Sequence, residues 1–308
     1  MEIKRYKIDG ESLKNNRLND DFKRDLIVIE NNVNDRTPVL IGLAGFFGSS
    51  ESFLNRSYTG MDFLSVLNII SKDYSFIIAL PDTMTSLRGN QYLNSMAVGN
   101  YEDFIVKDVL KHLDDLYGPR DKYLFGKSSG GFGAINLSMK HDEFSGFIDI
   151  SGDSYFYYSY LNDFPVAYNI LKKTGIDDFI DNFNKKYIHS NDELTAMNMV
   201  AMSAFYSRND KINLPFDLSD GSLNQYWNDW LSFDPVSTVN NYLENLRKKR
   251  IVLQTGIHDE FKMYIGMKII SRTLERNNID HVYMEYDAGH FNTNHFYLDS
   301  IPVILKNY

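Results

Sequence analysis

The chain has 308 residues, 43% hydrophobic and 24% charged, which is the balance of a globular protein able to bury a substantial core. Its formal charge of −9, from 32 basic and 41 acidic residues, disfavours a nucleic-acid partner, and the densest basic run is only Arg247 to Arg250. Cysteine is absent, which removes disulfides, thiolate metal sites and cysteine nucleophiles. The stretch from Met1 to Asp20 is charged throughout, and no segment approaches the roughly 20 apolar residues that span a bilayer, so a soluble, cytoplasmic protein with no membrane partner is expected.

Ile3–Ile8 and Leu26–Glu30 read as antiparallel strands leading into a first parallel strand at Val39–Ala44. Met61, Leu64, Leu67 and Ile70 then suggest a helix, followed by a strand at Phe76–Leu80. Phe104, Ile105, Val109, Leu113 and Leu116 form a helical stripe that Gly118-Pro119 should close. Further buried strands are predicted at Tyr123–Phe125, Phe147–Ile150, Ile251–Leu253 and Val282–Tyr286. Strands alternating with helices imply an α/β fold, with a mostly parallel sheet covered on both faces, and residues 1–308 read as a single domain. The stretch 155–235 breaks the rhythm. It has little strand pattern but many aromatics, among them Tyr155, Phe156, Tyr157, Tyr158, Tyr160, Phe205, Tyr206, Tyr226, Trp227 and Trp230. Two compatible expectations follow: an insertion with its own helical core, and a cap roofing a pocket at the C-terminal edge of the sheet.

The most informative segment is Lys122–Lys140. A short strand runs into Gly126-Lys127-Ser128-Ser129-Gly130-Gly131 and then a helical pattern, which is G-x-S-x-G in its strand–turn–helix setting. A nucleophilic serine must project from a sharp turn in which side chains two residues before and after would collide, hence Gly126 and Gly130. The same offsets select Ser128 over Ser129, whose backbone N–H instead faces a developing oxyanion at the helix start. Such a turn could also hold a phosphate on its backbone amides. A nucleophile, by contrast, needs an acid and a base further along. Asp259 follows the strand Ile251–Leu253, and His290 follows Val282–Tyr286, so Ser128, Asp259 and His290 fall in the order nucleophile, acid, histidine. Glu260 is the alternative acid and His295 the alternative base. Asp287 is expected to cap a turn, and His112 and His141 to face solvent or cap helices.

These motifs resemble the "Putative esterase" family of α/β-hydrolases, which includes S-formylglutathione hydrolase, feruloyl and acetylxylan esterases, enterochelin esterase and mycolyltransferases. Pro38–Gly45 resembles the family's P-V-L-Y-L-L-H-G strand, with Ala44 where His is common. Ala44-Gly45-Phe46, with Phe53 seven residues beyond, has the spacing of the formylglutathione hydrolases' oxyanion loop. Gly126–Ala134 resembles G-H-S-M-G-G-x-G-A, Gly256–Phe261 the acid loop G-x-x-D-x-F, and Gly289-His290 the G-G-H motif. The resemblance implies an α/β-hydrolase fold, a second oxyanion donor in the N–H of Phe46, no metal or organic cofactor, and a homodimer. The oxyanion loop lacks the Cys and Thr of the formylglutathione type, which weakens a glutathione thioester assignment. Phe291 and Asn292 replace the Trp that usually follows the histidine.

The function expected is that of a serine carboxylesterase acting on small-molecule esters, with Phe47, Trp227, Trp230 and Phe291 as substrate-binding aromatics. Acyl transfer, thioester hydrolysis and carbohydrate-ester hydrolysis use the same triad and stay open, as does a non-catalytic binding protein on this fold.

Overall fold

Apolar runs bounded by polar turns become eight strands in the computed structural model, which describes every residue except Asn307. They are β1 (Glu2–Asp9), β2 (Lys23–Asn31), β3 (Val39–Leu43), β4 (Phe76–Pro81), β5 (Lys122–Lys127), β6 (Gly146–Ile150), β7 (Arg250–Gly256) and β8 (Val282–Tyr286). They form one sheet in the order β1-β2-β4-β3-β5-β6-β7-β8. The first two pairings are antiparallel and the other five parallel. Register brings the ends of β3, β5, β6 and β7 level, with Leu43 beside Gly126, Lys127 beside Ile150, and Ile150 beside Gln254. The loops that carry chemistry therefore leave one edge together.

Strands β3, β4 and β6 are buried along their whole length, as parallel strands covered on both faces should be. Alternate residues feed two apolar layers. Leu26, Val28, Ile77 and Ala79 point into one, while Ile27, Ile29, Ile78 and Leu80 point into the other. The first layer is closed by helices α2 (Leu110–Tyr117), α3 (Ser129–Lys140) and α8 (Met263–Arg276), the second by α1 (Phe63–Ile70) and α9 (Tyr297–Leu305). In α1 the buried stripe is Phe63, Val66, Leu67 and Ile70, which shares Leu67 and Ile70 with the predicted face but takes Phe63 and Val66 in place of Met61 and Leu64. Asp62 sets the helix start by accepting the Ser65 N–H (2.8 Å), which leaves Met61 outside the helix and Leu64 at the stripe's edge. The predicted stripe forms at Phe104, Ile105, Val109 and Leu113, while Leu116 is exposed, and the helix ends at Gly118, whose φ of 74° suits a glycine.

Between β6 and β7 the chain leaves the sheet for a helical insertion: α4 (Phe164–Thr174), α5 (Ile176–Lys185), α6 (Asn191–Phe205) and α7 (Tyr226–Leu231). Helix α6 opens on a capping box between Ser190 and Glu193. Most of the aromatic surplus forms the core of this insertion. Trp230 packs edge-on to Tyr160, Phe164 and Tyr206, with ring centroids 5.0–5.5 Å apart. No helix among the described residues is long and apolar enough to cross a membrane.

Candidate active site

The turn after β5 is built around Ser128, held at φ 56° and ψ −128°, a left-handed conformation that a non-glycine residue adopts only when its surroundings enforce it. The enforcement is visible on both sides. Ser128 N–H donates to the Ile150 carbonyl (3.0 Å), and its own carbonyl accepts from Phe132 N–H (2.9 Å). A Cβ on Gly126 would lie 2.3 Å from the carbonyl carbon of Gly130, and one on Gly130 would lie 2.0 Å from the carbonyl oxygen of Leu43. Both obstacles are backbone and neither can swing away. Gly130→Ala is therefore expected to cost at least about 3 kcal/mol, the upper range for overpacking. A denaturant melt should show that loss; a loss under about 1 kcal/mol would mean that the turn can relax.

Asp259 and His290 come together although 31 residues separate them. Asp259 is fully buried, its Oδ1 accepts from Phe261 N–H (2.9 Å), and its Oδ2 accepts from His290 Nδ1 (2.7 Å). Because a carboxylate only accepts, Nδ1 donates the proton of this bond, and in the singly protonated ring Nε2 is the free acceptor. Burial pushes the Asp259 carboxyl up, but the hydrogen bond and charge of His290, with Ser151 and the Phe261 N–H, outweigh it and hold the group below the ordinary carboxylate range. Glu260, weighed from sequence as the alternative acid, holds the histidine's backbone instead: its Oε2 accepts the His290 N–H at 2.7 Å. The other candidates lie elsewhere. Asp287 caps no turn but pairs with His258 at the surface (2.9 Å), and His295 is exposed. His112, expected in solvent or at a cap, has a buried Nε2 and packs on Tyr6.

Ser128 and His290 line one cavity of about 760 Å3 at the C-terminal edge of the parallel strands. The loop after β3 forms a second wall. Phe47 N–H donates to the Arg88 carbonyl, Gly48 N–H to that of Gly45, and Tyr92 O–H to that of Ala44. Among the described residues, the N–H groups of Phe46 and Ser129 have no intramolecular acceptor. Phe47 and Phe291, both exposed, border the mouth. Trp227 and Trp230 do not reach the cavity. At 6% and 1% exposure they belong to the insertion's core, so the expected substrate contacts from them are corrected. Aromatic density in a sequence marks a packing centre and does not say on which side of it a ligand lies.

Asp153 and Lys127 are among the cavity residues that were not foreseen. Asp153, three residues beyond the end of β6, is 4% exposed. A survey of acidic residues just past each parallel strand would have found it. Lys127, the variable residue before the nucleophile, makes no ion pair among the described residues and sits 5.1 Å from the Phe291 ring centroid. Burial pulls its ammonium down to about 8, against the opposing charges of Asp259 and Glu260. Below pH 8 the folded state thus carries a poorly solvated cation. Between about 8 and 10.5 the unfolded chain binds more protons, so stability from this group rises with pH. Lys127→Met should raise Tm at pH 7, with the gain shrinking as pH climbs from 8 towards 10. A gain that stays constant with pH would assign it to packing instead.

A glycine-framed serine turn, an Asp–His pair and a cavity at the C-terminal edge of an eight-stranded, mostly parallel sheet define the α/β-hydrolase fold. The chain belongs to the "Putative esterase" family, which matches residues 73–299, and this membership places it among hydrolases acting on esters. No curated protein sequence matches. Among solved structures it is similar to a ferulic acid esterase (15% identity, TM-score 0.61, covering 100% of this chain and 98% of the other). A fluorophosphonate-binding serine hydrolase of Staphylococcus aureus gives 12% identity and a TM-score of 0.61, covering 99% of this chain and 97% of the other. The S-formylglutathione hydrolase of the same organism gives 12% and 0.56, covering 99% and 98%. At these identities the likeness is one of fold.

Proposed function

We propose that this protein is a serine carboxylesterase that hydrolyses small or aryl esters through an acyl-enzyme, with Ser128, His290 and Asp259 as its triad. The observation that carries the reading is the Nδ1–carboxylate bond between His290 and Asp259, because it frees Nε2 for the proton of a serine bordering the same cavity. As His290 Nε2 takes that proton, Ser128 Oγ bonds to the ester carbonyl carbon and the carbonyl electrons move onto oxygen. The Phe46 and Ser129 N–H groups receive this oxyanion, at about 3–4 kcal/mol per donor in comparable sites. The carbon–oxygen bond to the alcohol then breaks, and His290 returns the proton to the leaving oxygen. Water repeats the sequence on the acyl-enzyme and releases the acid. The insertion acts as a cap, with Asn191, Leu194, Thr195 and Asn198 at α6 lining the cavity.

Stopped-flow hydrolysis of a p-nitrophenyl ester series from acetate to decanoate tests this. A burst of p-nitrophenol equal to the enzyme concentration, with the acyl mass found on the peptide containing Ser128, is the expected result. Folded protein with no burst and no acylation across the series would overturn it.

A further inference from the structure

One side of the cavity holds polar groups that the triad does not use. Asp153 Oδ2 accepts from Gln91 Nε2 and Tyr160 O–H, both at 2.7 Å, with Ser129 Oγ at 3.4 Å. Among the described residues, no group donates to its Oδ1. Ser159 lines the same cavity at 4% exposure, and its buried Oγ has no partner. Asn198 Oδ1, from α6, is likewise buried and unpaired. The Asp163 carboxylate completes the wall, without a side-chain partner among the described residues; burial pushes it up to about 6. A buried polar atom without a partner is costly in a folded protein, and two such atoms, Ser159 Oγ and Asn198 Oδ1, line the same cavity as the unused Asp153 Oδ1 and the Asp163 carboxylate, forming a wall shaped for a ligand's hydrogen bonds.

The chemistry of the wall restricts that ligand. Asp153 Oδ1, Asp163 and Asn198 Oδ1 need a donor, while Ser159 O–H and the Asn198 amide N–H can give one. An ammonium group only donates and a carboxylate only accepts, and a carboxylate would also meet two acidic side chains. A hydroxyl does both. We propose that Asp153, Ser159, Asp163 and Asn198 form a specificity subsite for a hydroxyl-bearing portion of the ester, so that the substrate class is hydroxylated rather than purely apolar esters. This rests on the esterase reading. The hydroxyl can lie on the acyl or on the alcohol side, and the two have to be separated by experiment.

Matched pairs separate them. On the acyl side, p-nitrophenyl 6-hydroxyhexanoate is compared with p-nitrophenyl heptanoate, and on the alcohol side, 2,3-dihydroxypropyl butyrate with 2-methylbutyl butyrate. In at least one pair kcat/KM should favour the hydroxylated ester at least tenfold, and the pair that does so identifies the side. Ser159→Ala, Asn198→Leu and Asp153→Asn should each cut that preference about fivefold or more. The preference is a ratio measured within one variant, so partial loss of folded protein cancels. Ratios at or below one in both pairs, or a preference that none of the three variants moves, would overturn the subsite. So would a tenfold preference for p-nitrophenyl 6-aminohexanoate over the hydroxy ester, which would make the class cationic. Wild-type silence on all these esters would instead sink the esterase reading itself.

Discussion

Ser128→Ala should lower kcat for an aryl ester by about 10^6-fold, the scale on which removing a catalytic serine acts in comparable hydrolases. On the proposed mechanism the loss is large because the substitution removes the only atom that would bond to the acyl group and leaves everything else standing. His290 keeps its bond to Asp259, and the unpaired N–H groups of Phe46 and Ser129 belong to the backbone. The turn should survive as well. Its left-handed φ is imposed by the Ile150 and Phe132 hydrogen bonds and by the crowding of Gly126 and Gly130, none of which involves the hydroxyl. Tm should therefore move by no more than a few degrees while the burst and the acylated peptide vanish. Turnover within tenfold of wild type would remove Ser128 from the mechanism and send attention to Ser129, whose hydroxyl lies against Asp153.

How much of this could be read from the chain depended on how local the cause was. The turn at Ser128 was legible because its strain has to be relieved at fixed offsets, and Gly126 and Gly130 stand at both. Six parallel strands were legible because strands covered on both faces read as short apolar runs between turn residues, although β8, at the sheet edge, is only partly buried. Their ends were not, since pairing extends Tyr123–Phe125 to Lys122–Lys127 and Ile251–Leu253 to Arg250–Gly256 through partners distant in sequence. Glu260 neighbours Asp259 in the chain, but its bond to the His290 N–H depends on how two loops meet. Trp227 and Trp230 were misplaced for the same kind of reason: which face of an amphipathic helix turns to the core and which to the cavity is decided by packing partners. Asp153 stands just past a strand end, where an acidic residue is a candidate, but its significance comes from Gln91 and Tyr160, 62 and 7 residues away.

Asp259→Asn should lower kcat by about 10^4-fold, the scale seen when a triad aspartate becomes an amide. The local hydrogen bonds explain why the near-isosteric change is so costly here. Asp259 has two acceptor oxygens and both are used, Oδ1 by the Phe261 N–H and Oδ2 by His290 Nδ1. An asparagine has one oxygen and one NH2. The Phe261 N–H is backbone and can only donate, so it claims the oxygen and turns the NH2 towards Nδ1. Nδ1 must then accept, which moves the ring proton to Nε2 and removes the base that Ser128 needs. The opposite orientation keeps the tautomer but sets two donors face to face at Phe261, and it supplies no charge to stabilise the imidazolium. Glu260 still holds the His290 backbone, so the ring should stay in place and KM should change little. The expected signature is thus a fall in kcat alone, with thermal stability somewhat reduced. A loss below tenfold would mean that the Asp259 carboxylate does not set the tautomer of His290, and Glu260→Gln would then be the variant to compare, since Glu260 is the other carboxylate bonded to that histidine.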